Sequence, residues 1–179
     1  MLIGVPKETI PGARRVALTP HVLGLLKQAG ASITIEPGCG LAAGFPDTTY
    51  TERGAHVALS REDLFGKADM VLQIHALGTN PVFRETDLPL FRKNQILIGL
   101  MDPLVLPGAL REANERGITG FSLELLPRIT RAQQMDVLSS MATVAGYKAV
   151  LLAAERLPKF FPLLMTAADR KSTRLNSSP

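Results

Sequence analysis

Residues 1–38, MLIGVPKETIPGARRVALTPHVLGLLKQAGASITIEPG, decide the fold. Leu2-Ile3-Gly4-Val5 is a short apolar run of the kind a buried strand presents. Thr19-Pro20 supplies a helix cap with proline in the first turn, where its missing N–H costs nothing. Val22, Leu23, Leu26 and Ala29 then recur at helical spacing, and Gly30 ends the helix. Ser32 to Glu36 is a second strand, closed by Pro37-Gly38. Strand, helix and strand in this order predict a parallel unit, because the helix carries the chain back across the sheet.

The same alternation continues outward. Short helical pieces are expected at Thr49–Arg53 and Arg61–Lys67, and strands at Met70–Ile74, Gln95–Leu100 and Ile118–Leu123. Pro107–Arg116 reads as a helix ended by Gly117. The expected fold class is α/β: a doubly wound, mainly parallel sheet, Rossmann-like or flavodoxin-like, with helices on both faces. From Arg131 to Arg156 the apolar spacing is helical, through Met135, Leu138, Met141, Ala142, Ala145, Ala149 and Leu152. A helix of about 25 residues, at about 1.5 Å per residue, is longer than such a domain needs and predicts a linker to a second domain.

Bulk properties exclude several classes. With 46% hydrophobic and 20% charged residues the chain has the composition of an ordinary α/β protein. The net charge of +4 includes three basic side chains and one acidic among the last eleven residues, so the body is close to balanced. No basic stripe with interleaved aromatics marks a nucleic-acid surface. Cys39 is alone, which excludes an internal disulfide framework and suits a reducing compartment. The N-terminus lacks the basic region and cleavage site of a signal peptide. The most apolar window, Met141–Ala154, is broken by Tyr147 and Lys148, so direct membrane insertion is not expected. His21, His56 and His75 show no ligand spacing and predict no metal site.

Residues 169–179, DRKSTRLNSSP, change character abruptly. They resemble the conceptual translation of a common sequencing-adapter oligonucleotide, which ends in His where Pro179 stands. They are expected to be an adapter-derived artefact, disordered and outside the fold. The organisation foreseen is therefore an N-terminal domain over 1–130, a contact loop and linker helix over 131–168, and this tail.

Three motifs are candidates for chemistry. Gly38-Cys39-Gly40-Leu41-Ala42-Ala43 matches a G-x-G-x-x-A nucleotide loop, but Gly44 and Pro46 leave no helix for it to open, so it is expected to be a plain turn. Arg14-Arg15 stands between the first strand and the capped helix, and would bring positive charge to the carboxyl edge of the sheet, although the residues alone slightly favour surface arginines on a solvated loop. The richest stretch is PRITRAQQMDVLSSMA, residues 127–142. Gln133 stands three residues before Asp136, and Asp136 three before Ser139, so on one helix they share a face. A glutamine amide can donate to and accept from a nicotinamide carboxamide, and Asp136 can hold Arg128. Equally, Thr130-x-x-Gln133 is a capping box that starts a helix.

This stretch, continued through Ala145-Gly146-Tyr147, resembles the characteristic loop P-R-[IT]-[ST]-R-A-Q-x-x-D-x-L-S-S-x-A-x-x-A-G-Y of the alpha subunits of proton-translocating NAD(P) transhydrogenases. The opening Gly4-Val5-Pro6-Lys7-Glu8 with Arg15-Val16-Ala17-Leu18-Thr19-Pro20 is similar to the wider alanine dehydrogenase/transhydrogenase family. The resemblance covers residues 1–168, and the branch is specified by Arg128–Tyr147.

It implies NAD(H) on this subunit and NADP(H) on a partner, with hydride transfer coupled to proton translocation. It implies contact with the nicotinamide by Arg128, Gln133, Asp136 and Ser139, with Gln133 orienting the ring and no residue acting as acid or base. It further implies a homodimer, cytoplasmic and peripheral to the inner membrane through membrane and NADP(H)-binding subunits. A Rossmann domain with the pyrophosphate loop would follow soon after Ala168, so the chain alone is expected to be inactive.

Alanine dehydrogenases carry a substrate-binding Lys and a catalytic His where His75 and Asp102 stand, which disfavours an alanine dehydrogenase-like oxidoreductase. A non-enzymatic dimerisation or regulatory module is the remaining alternative.

Overall fold

The computed structural model describes residues 1–159. The chain divides into two compact units, Met1–Asp136 and a second that begins at Val137. In the first unit six parallel strands form one sheet: β1 (Leu2–Val5), β2 (Ser32–Ile35), β3 (His56–Val57), β4 (Met70–His75), β5 (Ile96–Leu100) and β6 (Thr119–Ser122). Their spatial order is β3-β2-β1-β4-β5-β6, the order of dinucleotide-binding doubly wound folds. The chain leaves β1 toward β2 and later returns to place β4 on the other side of β1. The carboxyl ends of β1 and β4 therefore flank the switch point.

The intervening helices are α1 (Leu23–Gln28), α2 (Asp47–Thr51), α3 (Arg61–Lys67), α4 (Phe83–Thr86) and α5 (Pro107–Glu115). Alternation along the strands sends side chains to two faces. Ile3, Val5, Ile33 and Ile35 join Leu23, Cys39 and Tyr50 in one cluster. Val71 and Leu97 join Leu64, Phe65, Phe83 and Met101 in the other. Gly4 faces α3, and a Cβ there would stand 2.7 Å from Leu64 and 2.8 Å from Ala68. Only glycine lets that helix lie so close. Ser60 caps α3 by accepting the Asp63 N–H at 3.1 Å, and Asp63 in turn accepts from Leu59 N–H at 3.2 Å.

Three expectations need correction. Thr19 makes no side-chain cap bond; Pro20–Val22 is a short 3-10 turn, and Leu23 is the only fully buried member of the foreseen helical face. The strand β3 was not foreseen, because its two residues are exposed and only pairing with β2 defines them. The long helix does not run from Arg131. Thr130–Met135 is a 3-10 element, Asp136 leaves helical geometry with ψ 89°, and the α-helix α6 spans Val137–Arg156.

In the second unit α6 exposes Leu138, Met141, Val144, Tyr147 and Val150. It is long and apolar enough to cross a membrane, judged by length and composition. Residues 169–179, assigned above to an adapter-derived tail, lie outside the described residues.

Candidate functional site

The loop after β1 folds over the carboxyl end of β4. Glu8 is buried, and its Oε1 accepts the Ile74 N–H at 2.7 Å while its Oε2 accepts the His75 N–H at 3.1 Å. The same Oε2 lies 3.2 Å from His75 Nδ1, and Arg15 Nη2 lies 3.2 Å from His75 Nε2. A guanidinium has only donors, so the network assigns Nε2 as acceptor and Nδ1–H as donor to Glu8. Arg15 is thus held half-buried at the switch point, while Arg14 is exposed as on a solvated loop. Asn80 Nδ2 donates to Thr9 Oγ1 at 2.8 Å and ties the same loop to the turn after β4.

Beside this chain of contacts lies a second one. Arg61 donates through Nε and Nη2 to Asp87 at 2.9 and 2.7 Å, and through Nη1 to Glu36 at 2.5 Å and to the Lys7 carbonyl at 2.9 Å. Burial works against the Arg61 charge, yet the bonds to Asp87 and Glu36 outweigh it and raise the guanidinium above its ordinary range. Gln73 Nε2 adds a third donor to Asp87 at 2.7 Å. This fork holds α3 to the loops after β1 and β2, and its role is architectural.

The Gly38–Gly44 segment is a turn, as expected. Leu41–Ala43 makes one 3-10 turn, and Gly38 and Gly44 take positive φ of 71° and 85°. The Gly38 N–H is taken by the Asp47 carboxylate at 2.9 Å. A Cβ on Gly40 would meet the Phe45 carbonyl at 2.6 Å and Tyr50 at 2.8 Å, so tight packing sets its glycines. Cys39 is buried here, its thiol pushed up to about 12 by desolvation and by the charges of Asp47 and Glu36.

The third place follows the carboxyl end of β6. Leu123–Leu125 and Thr130–Met135 are 3-10 turns on either side of Pro127–Ile129. Arg128 and Gln133 are exposed there, and Asp136 is half-buried at the end of the second turn. Ser139 belongs to the first turn of α6, where its carbonyl accepts the Thr143 hydroxyl at 3.1 Å. The structure thus gathers Arg128, Gln133 and Asp136 on one short segment of the first unit and carries Ser139 on the second.

A single helical face for Gln133, Asp136 and Ser139 is not formed, because Asp136 departs from the helix between them. Neither is the Thr130–Gln133 capping box present: the cap position falls on Ile129, with no side-chain cap bond.

Sequence reading missed the partners of Glu8, His75, Arg61 and Glu124. The last accepts the backbone N–H groups of Met101 at 2.7 Å and Asp102 at 2.5 Å. Asp102 and Leu77, just past the ends of β5 and β4, are non-glycine residues with φ of 51° and 46°, strained backbone at the carboxyl edge of the sheet. Among the described residues no group of three His, Cys, Asp or Glu is placed to hold a metal ion.

Known proteins are similar to this chain. Residues 4–145 match the family model of the alanine dehydrogenase/PNT N-terminal domain. The chain is 38% identical over 170 residues to NAD(P) transhydrogenase subunit alpha of Cereibacter sphaeroides, covering 95% of this chain and 31% of that one. In Rickettsia prowazekii the similar protein is the first portion of the NAD(P) transhydrogenase alpha subunit. It is 34% identical over 168 residues, covering 94% of this chain and 43% of that one.

Among solved structures, the transhydrogenase from Sinorhizobium meliloti superimposes with a TM-score of 0.81 at 36% identity, over 94% of this chain and 48% of that one. An L-alanine dehydrogenase does so with a TM-score of 0.76 at 28% identity, over 87% of this chain and 40% of that one. The chain spans less than half the length of these relatives. On its strand order, its switch-point loop and the match over residues 4–145, the chain belongs to the alanine dehydrogenase/PNT N-terminal domain family.

Proposed function

We propose that this chain is the N-terminal portion of the NAD(H)-binding alpha subunit of a proton-translocating NAD(P) transhydrogenase. What carries the proposal is the segment after β6: Arg128 and Gln133 are exposed on it instead of being spent in the fold, and it leaves the carboxyl edge of a parallel sheet, where ligands bind. The similarity to transhydrogenase alpha subunits supports the same branch. His75 and Asp102 weigh against the alanine dehydrogenase branch, since they offer no amine and no second imidazole at that edge.

The residues fit the nicotinamide end of NAD(H). An exposed glutamine amide matches a carboxamide as donor and acceptor, and Arg128 adds planar donors. The pyrophosphate end finds no helix-opening glycine loop among the described residues, since Gly38–Gly44 is a packed turn. That contact belongs to a Rossmann domain beyond the described chain, reached through α6 as linker. The chemistry supplied by the bound nucleotide is hydride transfer from NADH to NADP+ on a partner subunit, coupled to proton translocation through a membrane subunit.

Here Gln133 orients the nicotinamide ring, and Arg128 and Asp136 on the same segment contact it, a role the resemblance also implies for Ser139; none of them acts as acid or base. The complete subunit works as a homodimer, peripheral to the cytoplasmic side of the inner membrane through its partners, and this portion alone is inactive.

The test is Gln133→Asn in the full-length subunit with its partner subunits. Losing one methylene withdraws the amide by roughly 1.5 Å, and misplacement of about 1 Å costs on the order of a hundredfold in rate. Single-turnover hydride transfer should fall by that order, with NADH affinity changed much less. Normal transfer in this variant removes Gln133, the strongest site assignment; a full-length subunit that with its partners transfers no hydride from NADH to NADP+ removes the proposal.

A further inference from the structure

The segment that carries Arg128, Gln133 and Asp136 is weakly attached to the rest of its unit. It follows the edge strand β6, whose Thr119, Gly120 and Phe121 are exposed. Its own backbone bonds are local: Leu126 to Leu123 at 3.3 Å, Ile129 to Pro127 at 2.9 Å, Ala132 to Ile129 at 2.9 Å and Asp136 to Gln133 at 3.2 Å. Such turns shape a chain without fastening it to anything else. Between Thr119 and Lys159 the only buried residue is Ala132, whose methyl group offers little area.

A strong tie joins its start to the sheet. Glu124, within the first 3-10 turn, sends a single carboxylate oxygen onto two consecutive amides beyond β5, those of Met101 and Asp102. Both amides reach one oxygen with Asp102 in the left-handed region at φ 51°, a conformation uncommon outside glycine. Successive N–H groups converging in this way make an anion cradle, and here the chain's own carboxylate fills it. Bonds of this charge-assisted kind are about twice as strong as neutral ones.

From this geometry we infer that Glu124 is a positioning residue for the nicotinamide-contacting segment. Its carboxylate, docked in the amide cradle at the end of β5, sets where Arg128 and Gln133 stand relative to the sheet edge. The assignment rests on the function proposed above; the tie itself does not.

The experiment compares Glu124→Ala and Glu124→Gln in the full-length subunit with its partners. Amide exchange at Ala132 and Asp136 should quicken about tenfold or more in Glu124→Ala, while amides of β1 and β2 keep their protection. Single-turnover hydride transfer should fall by about ten- to a hundredfold, with NADH affinity within about threefold.

Glu124→Gln keeps an acceptor oxygen without the charge, and should recover most of the rate and protection. It also carries the test if the alanine variant does not fold, with exchange expected about threefold above the native rate. Unchanged exchange at Ala132 and Asp136 overturns the tie. Faster exchange with normal transfer in both Glu124→Ala and Gln133→Asn leaves the tie standing and overturns the nicotinamide contact by this segment, on which the assignment rests.

Discussion

Replacing Arg61 by methionine takes away one guanidinium and leaves two carboxylates behind. They are not equivalent. The Glu36 side chain is 17% exposed and keeps the Lys7 N–H at 2.7 Å, so it can turn toward water. Asp87 is fully buried and would keep only the Gln73 amide. The cost therefore concentrates at Asp87. Stranding one partner of a buried pair costs about 3–5 kcal/mol, while methionine preserves most of the stem packing where the guanidinium sat 5.5 Å over Phe65.

Against a typical total of about 5–15 kcal/mol, that loss leaves folding marginal and lowers the midpoint by roughly 10 °C. Equilibrium urea unfolding followed by circular dichroism measures it, with an unchanged slope showing that the unfolded state is the same. Arg61→Met with Asp87→Leu removes the stranded charge as well and should regain most of the loss. A single variant costing under about 1 kcal/mol, or a double variant no better than the single, would refute an architectural ion pair at this end of the sheet.

Two further outcomes are expected. Cys39, its thiol held near 12 mainly by burial, should react with a disulfide reagent at pH 8 on the order of a thousandfold more slowly than a free thiol in native protein; labelling at the free-thiol rate would show the turn to be open. For Glu124, burial alone would raise the carboxyl, but the neighbouring Ser122 hydroxyl and backbone N–H groups, including those of Asp102 and Met101, outweigh it and hold the carboxyl below its ordinary range. Its folded-state value thus lies below the unfolded one, so its stabilisation is fully present above the unfolded value of about 4.3 and is lost as pH falls through the folded value. The stability gap between native protein and Glu124→Gln should be level near neutrality and shrink in acid; a gap that widens toward low pH contradicts this.

Local pattern made much of the architecture legible. The runs at β1, β2, β4 and β5 are apolar because each strand is covered by neighbours, and period and punctuation survive in any short window. Helix α3 was readable for the same reason. The polar types of Arg128, Gln133, Asp136 and Ser139 stood out as a cluster, although one helix face for Gln133, Asp136 and Ser139 is not formed. Helical spacing continues through Asp136 in the sequence, and only its backbone angle interrupts it.

The amino-acid sequence by itself determined an alternating α/β chain, its parallel strands, a long helix in its last third, and the polar residue types of the segment after β6. Tertiary structure alone decided that β3 is a strand, that His75 lies between Glu8 and Arg15, that Asp87 receives Arg61, and that Glu124 closes on Met101 and Asp102. These partners stand 22 to 67 residues apart. Hydrophobic period acts over a few residues and leaves a mark in any window. A carboxylate's choice among distant donors depends on which strand ends the crossovers bring together, and no local signal records it.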